Sequence, residues 1–392
     1  MTPWARHRLV GVDAARGVAL LGMIAAHTVP RVEKDGTVSP AFALVAGRAA
    51  ALFAVLAGVG LVLLTRWEPS TPVAVRTRHR VGIVVRALLL IVIGLLLAEV
   101  ESGVAVILVY YGVMFVLATP FLGLGARSLA ALSAAVAVLV PVVSQLVRPL
   151  LPAPSGRSPG WALVHGSPWE TASELTLTGF YPALPWMAYV LAGMAVGRLR
   201  LRDRDVAAWL LAGGVALLVA ARLVSWLLLA QAGGLDALRA SPPRLFTLTL
   251  DQALVVGLAE IGTTPTGTWW WLAVATPHTA TPFDLAATIG SALAVIGLCL
   301  LLLPRPRLWA TPLVALGGMS LSAYCLHVVL LGTVLPREPY AFVSHAVVLM
   351  LGAVLWRALV GQGPLEFLTQ QISRRVSRLV VPPRPADAAA RA

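Results

Sequence analysis

Asp13, Arg16 and His27 all lie within one apolar run, Val12 to Pro30, VDAARGVALLGMIAAHTVP. At 100° per residue their side chains fall within about 60° of one another on a helix, and Asp13 and His27 stand about 21 Å apart. One polar stripe would therefore cross most of a bilayer. Ionisable groups at that depth cost several kcal/mol each unless they face protein or water, so the default reading of such a stripe is functional. A neutral His27 imidazole can accept a proton from a hydroxyl or an amine and hand it on. Arg16 can hold a phosphate or a carboxylate in the fork of its guanidinium, and Asp13, three residues away, either neutralises it or takes part directly. The plainer alternatives are a helix-end histidine bonded to a carbonyl and a purely structural Asp–Arg pair.

Other residues of the same kind are scattered through the chain. In PLVALGGMSLSAYCLHVVLLG, Ser320, Tyr324 and His327 stand at i, i+4 and i+7 and make a second polar stripe. The small residues Gly317, Gly318, Ser320 and Ser322 would let a neighbouring helix come close. For His327 the alternative is a satisfied interhelical hydrogen bond. Arg48 sits inside the second apolar run, either snorkelling to the headgroups or pointing inward. His278, in TPHTATPFD, has Asp284 six residues on and is either solvated or catalytic. Arg222 is a further charge within an apolar run, without an obvious partner there. No metal-ligand spacing, phosphate-cradling glycine loop or serine hydrolase elbow is present.

The elements that must position these groups follow from composition. Of 392 residues, 58% are hydrophobic and only 12% are charged, about half the charge of a soluble domain. This implies an all-α, polytopic membrane protein. The net charge of +13 comes from arginines in short loops between apolar runs, where they set orientation, so nucleic-acid binding is excluded. Cutting at loops gives about ten transmembrane spans: 9–29, 41–65, 81–98, 104–119, 129–147, 180–197, 207–230, 283–303, 312–335 and 342–360. On alternate loops Lys and Arg number eighteen against seven, which places both termini in the cytoplasm. The basic N-terminus and the run after it imitate a secretory signal, but Asp13 and Arg16 interrupt the apolar region, so the segment is read as a retained first helix.

Residues 1–372 are expected to form one transmembrane unit, and 373–392 a basic, Pro/Ala-rich cytoplasmic tail that sits near anionic headgroups and is disordered. The longer loops, 148–179 and 231–282, fall on the far side. There Trp161, Trp169 and Trp269 to Trp271 serve as interfacial belt residues or as sugar-stacking platforms. Leu245–Ile261 reads as an amphipathic surface helix or a re-entrant hairpin. Cys299 and Cys325 both lie in apolar runs, so no disulfide is expected.

Four stretches, in order over nearly the whole chain, resemble the heparan-α-glucosaminide N-acetyltransferase-like family of transmembrane acyltransferases and its bacterial branch. They are GVDAARGVALLGMIAAH, like the family's Asp-x-x-Arg-Gly helix; FYPALPWMAYVLAGMAVGRL, like its Pro-x-x-Pro-Trp helix ending in Gly-x-x-x-Gly-Arg; ALGGMSLSAYCLHVVLL, like its late serine, tyrosine and histidine helix; and WRALVGQGPLEFL, like its closing Gly-Pro-Leu-Glu motif. The resemblance implies an enzyme of a bacterial-type cytoplasmic membrane that moves an acetyl or other acyl group from cytoplasmic acetyl-CoA to an extracytoplasmic glycan or lipid-linked acceptor, with no metal. In that reading His27, His327 and His278 are the catalytic candidates, and Asp13, Arg16, Arg48 and Tyr324 surround the donor. Membrane lipids and a second copy of the chain are the other partners considered. Sugar-acetylating members carry a histidine in the loop after the first helix and an acid entering the second. Here Arg31–Pro40 has no histidine and Gly47–Arg48 replaces the acid, so either His27 substitutes or the chemistry differs. Two other functions stay open from sequence: a secondary transporter or lipid-linked sugar translocase, and a scaffold whose buried charges fix helix register.

Overall fold

The computed structural model describes residues 9–65, 67–68, 70–153, 158–240, 254, 262–335 and 340–382. The apolar runs become helices because in hydrocarbon only a helix or a closed barrel satisfies every backbone N–H and C=O. In chain order they are α1 (Val10–Thr28), α2 (Pro40–Val45), α3 (Arg48–Thr65), α4 (Val73–Ala98), α5 (Leu108–Ala118), α6 (Ala126–Val147), α7 (Ala183–Gly197), α8 (Arg204–Trp226), α9 (Pro282–Leu302), α10 (Thr311–Gly318), α11 (Ser320–Thr333), α12 (Ala341–Leu359) and α13 (Pro364–Val380).

Among the described residues, seven helices are long and apolar enough to cross a membrane, and up to nine if each of two bent pairs counts as one span. The bent pairs are Pro168–Thr178 with α7, at 48°, and Leu308–Gly318 with α11, at 79°. The remaining expected span is represented by Leu108–Gly123, shorter than a full crossing. All ten expected segments are thus helical, but 41–65 and 312–335 are broken and 104–119 and 180–197 are short. The stretch Leu245–Ile261 lies outside the described residues, apart from Leu254.

α1 lies at the centre, against α3, α9 and α10, and α7 packs on α3, α5 and α6. The α1–α10 crossing is close because Gly317 of α10 lies directly over the backbone of α1: a Cβ there would overlap the Asp13 carbonyl oxygen and the Gly17 nitrogen. Arg198, the last residue of the Gly-x-x-x-Gly-Arg stretch, donates from Nη1 to the Trp67 carbonyl at 2.8 Å and from Nη2 to the Leu122 carbonyl. It ties the end of α7 to two loops.

Two breaks shape the site. Gly47 adopts a left-handed backbone (φ +69°) between α2 and α3. The carbonyls freed there, Ala43 and Leu44, accept from Arg48 Nη1 at 2.6 and 2.8 Å. The second break, at Met319, splits what the sequence reads as the single span 312–335. Its restart is capped from far along the chain by Glu366. Oε1 accepts from the backbone N–H groups of Leu321 (2.7 Å) and Ser322 (3.2 Å), and Oε2 from the Ser322 hydroxyl (2.5 Å). A carboxylate suits a helix N-terminus, where four N–H groups lack intrahelical partners. The closing Gly-Pro-Leu-Glu motif is therefore a cap delivered across 45 residues.

α13 follows directly, with Thr369, Ser373 and Ser377 buried at four-residue spacing and the helix packed along α4. Residues 373–380, expected at the start of a disordered tail, are the last turns of this helix. The reason is that a small-residue face one turn apart can lie flat on α4, which the basic composition conceals. Glu366→Ala is expected to lower stability by about 2–3 kcal/mol, with Glu366→Gln retaining part of it. Comparing the two melting temperatures checks this, and an unchanged melt for Glu366→Ala would refute the cap.

Candidate functional site

A cavity of about 1,020 Å³ opens between α1, α3, α4, α5, the α10–α11 break and the α12–α13 turn. Its mouth is basic and polar, with Arg16, Arg86, Arg357, Arg374, Glu366 and Gln370. Its deeper wall is apolar, with Met23, Phe53, Leu56 and Leu108. Arg16 Nη1 meets Asp13 Oδ1 at 3.2 Å, so the expected i, i+3 pair forms, with Asp13 buried and Arg16 half-buried on the cavity wall. Ser320 and Tyr324 of the second stripe also line the cavity, and the Tyr324 hydroxyl accepts from the Ile107 N–H at 3.4 Å.

The cavity lining ends at Met23 on α1 and Tyr324 on α11. One turn further on stand His27 and His327, four and three residues along, or about 6 and 4.5 Å of helix rise. They are in direct contact: His27 Nδ1 lies 3.0 Å from His327 Nε2. The two rings are end to end in nearly one plane, centroids 5.3 Å apart and planes 2° from parallel. His327 is fully buried, and its Nδ1 lies 3.0 Å from Nδ1 of His345 on α12, also fully buried. His345 Nε2 lies 2.8 Å from the Leu335 carbonyl oxygen. Three imidazoles from three helices thus form a continuous hydrogen-bonded line. Among the described residues no group of three His, Cys, Asp or Glu could hold a metal ion; in this line both nitrogens of His327 already face other rings.

The other expected site residues lie elsewhere. Arg48 does not line the cavity; it caps the α2–α3 break as described above. His278 sits in a cage of Phe180, Tyr181 and Trp186, ring centroids 4.9, 5.5 and 6.2 Å away, and not in the line of His27 and His327. Its backbone is left-handed (φ 63°), an uncommon state for a residue with a Cβ. Asp284 is buried and caps α9 reciprocally: its N–H donates to the Thr281 hydroxyl, and its Oδ2 accepts from the Ala280 N–H, both at 3.1 Å. Arg48 and Arg222 both lie near enough to attract its carboxylate, although Arg222 itself is exposed. Of the tryptophans, Trp169 and Trp269 are exposed, as a belt or platform requires, whereas Trp271 is fully buried in a small cluster with Leu238 and Val274.

Desolvation by its aromatic cage pushes the His278 imidazole down to about 4 from the ordinary 6.5. Between those values the unfolded chain binds a proton that the folded chain refuses. The stabilising contribution is therefore complete above pH 6.5 and is lost as the pH falls towards 4. Acidification from pH 7 to 5 is expected to cost about 1–2 kcal/mol through this residue. His278→Asn, which tolerates the left-handed backbone, should flatten that part of the pH dependence of melting; identical pH profiles in both proteins would refute it.

Arg86, Arg357 and His345 were not singled out from sequence. Each is a polar residue in an apolar run with no polar neighbour one turn away, and such a residue gains meaning only when another helix brings it a neighbour. The available signal was that a histidine or arginine inside a membrane span is expensive wherever it occurs.

The assembled features describe a multi-helix membrane protein whose deep, basic-mouthed cavity stops one turn short of a buried histidine line. The sequence model of the heparan-alpha-glucosaminide N-acetyltransferase catalytic family matches residues 8–228, more than half of the chain, and the chain belongs to that family of membrane acyltransferases. The match takes in Asp13, Arg16, His27 and Arg86 and ends before His327, His345 and Glu366. No curated protein matches the chain.

Proposed function

We propose that the protein transfers an acyl group from acyl-CoA, entering by the arginine-lined mouth, to a hydroxyl or amine acceptor on the opposite face of the membrane. The observation that carries this reading is the cavity's course, from Arg16, Arg86, Arg357 and Arg374 to within one helical turn of His27 and His327. The phosphates of CoA suit guanidinium forks, and the pantetheine arm suits the apolar upper wall. The family description names an acetyl group and a glucosaminide acceptor; acetyl-CoA is accordingly the donor of choice, and a glycan or a lipid-linked sugar is the acceptor class.

In this reading the chain crosses the plasma membrane ten times, with both termini and the cavity mouth in the cytoplasm. Arg16 is positioned by Asp13 to bind the donor's phosphates, while Arg48 and His278 support the outer end of the fold. The acceptor X–H attacks the thioester carbonyl, the C–X bond forms, the C–S bond breaks, and the acceptor's proton passes to His27. The thiolate takes that proton from His27 and leaves towards the basic mouth as the thiol, which returns His27 to its neutral state. His327 supports His27 through their shared hydrogen bond.

Purified protein is expected to melt at higher temperature with millimolar acetyl-CoA or CoA than with ATP. Arg86→Glu is expected to weaken that effect about tenfold or more in ligand concentration, as for the loss of a charge-assisted hydrogen bond. Thioester cleavage should appear only when an acceptor is added. Stabilisation by none of these ligands, or counterflow of a solute in proteoliposomes without CoA, would overturn the reading in favour of a transporter.

A further inference from the structure

Two hydrogen bonds between imidazoles would ordinarily leave their direction open, since each ring nitrogen can donate or accept. Here the far end of the line settles it. The Leu335 carbonyl oxygen can only accept, so the nitrogen 2.8 Å from it, His345 Nε2, must carry a proton. A neutral imidazole has one N–H, so His345 Nδ1 is a lone pair and accepts from His327 Nδ1–H at 3.0 Å. His327 Nε2 is then in turn a lone pair and accepts from His27 Nδ1–H at 3.0 Å. That leaves His27 with its proton on Nδ1 and Nε2 as its basic nitrogen.

We infer that His345 is a positioning residue: through His327 it holds His27 in the one tautomer whose Nε2 can act as a base. The inference rests on the reading of His27 as the base in acyl transfer. The geometry favours a fixed direction in two ways. The first pair of rings is end to end in a plane, which aims the N–H along the partner's lone pair, and His327 and His345 are fully buried, which keeps competing water from their nitrogens. The three rings belong to α1, α11 and α12, so helix packing sets their spacing, and the Leu335 carbonyl just past the end of α11 sets the direction. The consequence reaches beyond His27: a residue outside the matched region of the family, and remote from the cavity, sets the protonation pattern of the group beside it.

The test uses the full chain with 15N-labelled histidine. In the wild type, 15N–15N couplings across two N–H···N hydrogen bonds are expected, linking His27 Nδ1 to His327 Nε2 and His327 Nδ1 to His345 Nδ1, with His27 Nε2 unprotonated. His345→Asn places an amide oxygen where Nδ1 was and should preserve the His27 tautomer. His345→Leu removes the acceptor, so His327 is free to carry its proton on Nε2 and His27 must reverse. For His345→Leu, kcat for acyl transfer is expected to fall about tenfold or more with KM for acetyl-CoA nearly unchanged, and His345→Asn should restore most of it. A wild-type His27 protonated on Nε2, missing couplings, or a His345→Leu enzyme with unchanged kcat would each overturn the inference. If the wild type cleaves no thioester at all, the couplings still report the tautomer by themselves, so failure of the enzyme reading is told apart from failure of this one. If His345→Leu does not fold, the wild-type couplings decide.

Discussion

Replacing His27 with alanine is expected to lower acyl transfer by about 10²–10⁴-fold, the range for loss of a positioned general base and equivalent to about 3–5 kcal/mol of barrier. The loss should fall on kcat. His27 stands one turn beyond the end of the cavity, past Met23, so the alanine variant removes no group from the cavity walls. Acetyl-CoA should therefore stabilise His27→Ala against heat as it does the wild type. His27→Asn is the sharper comparison, because its amide can still donate to His327 Nε2 but has no basic nitrogen to take a proton from an acceptor. If the histidine line is only a structural tie between α1 and α11, asparagine should restore most of the activity; if His27 is the base, it should restore the melting temperature and little else. Normal turnover in either variant would remove His27 from the mechanism, and with it the case for chemistry at this end of the cavity.

How far the site was legible in sequence depended on whether its parts shared a helix. Asp13, Arg16 and His27 could be placed on one face because a 3.6-residue period relates them along α1, and the same logic recovered Ser320, Tyr324 and His327. Both runs are helical; the first puts Arg16 on the cavity wall, and the two meet where His27 touches His327, one turn beyond the cavity lining. What stayed hidden was relation across helices. His345 becomes intelligible only when α12 lies against α11, and Arg86 and Arg357 only when a common cavity collects them. The break at Met319 was hidden for a related reason. Gly317 and Gly318 read as packing residues within one span, and the group that caps the restart, Glu366, comes from 45 residues away. Arg48 is a different case: a charge inside an apolar run was an apt alarm, and it marks a helix break with two freed carbonyls and lies outside the cavity lining.

Gly317→Ala is expected to be the most damaging single methyl group that can be added near the site. Most small-to-large changes in a packed interior cost about 1–3 kcal/mol because neighbouring side chains shift to make room. At Gly317 the atoms in the way are the carbonyl of Asp13 and the nitrogen of Gly17, which are backbone of α1 and cannot rotate aside. The helices must separate instead, and the Asp13–Arg16 pair and the cavity wall at Gly317 and Gly318 move with them. A loss of about 3 kcal/mol or more is therefore expected, at the upper end of the usual range, together with loss of acetyl-CoA stabilisation in whatever protein still folds. Gly352→Ala on α12 is the matched control, since a Cβ there meets nothing within 4 Å and the site is exposed. Helix propensity alone should make that change neutral or stabilising by about 0.5–1 kcal/mol. The two variants add the same atom to the same kind of helix, so a difference between their melting temperatures measures the α1–α10 contact itself. Equal melting temperatures would mean that these helices are not apposed at Gly317, and the cavity defined by their meeting would lose one of its walls.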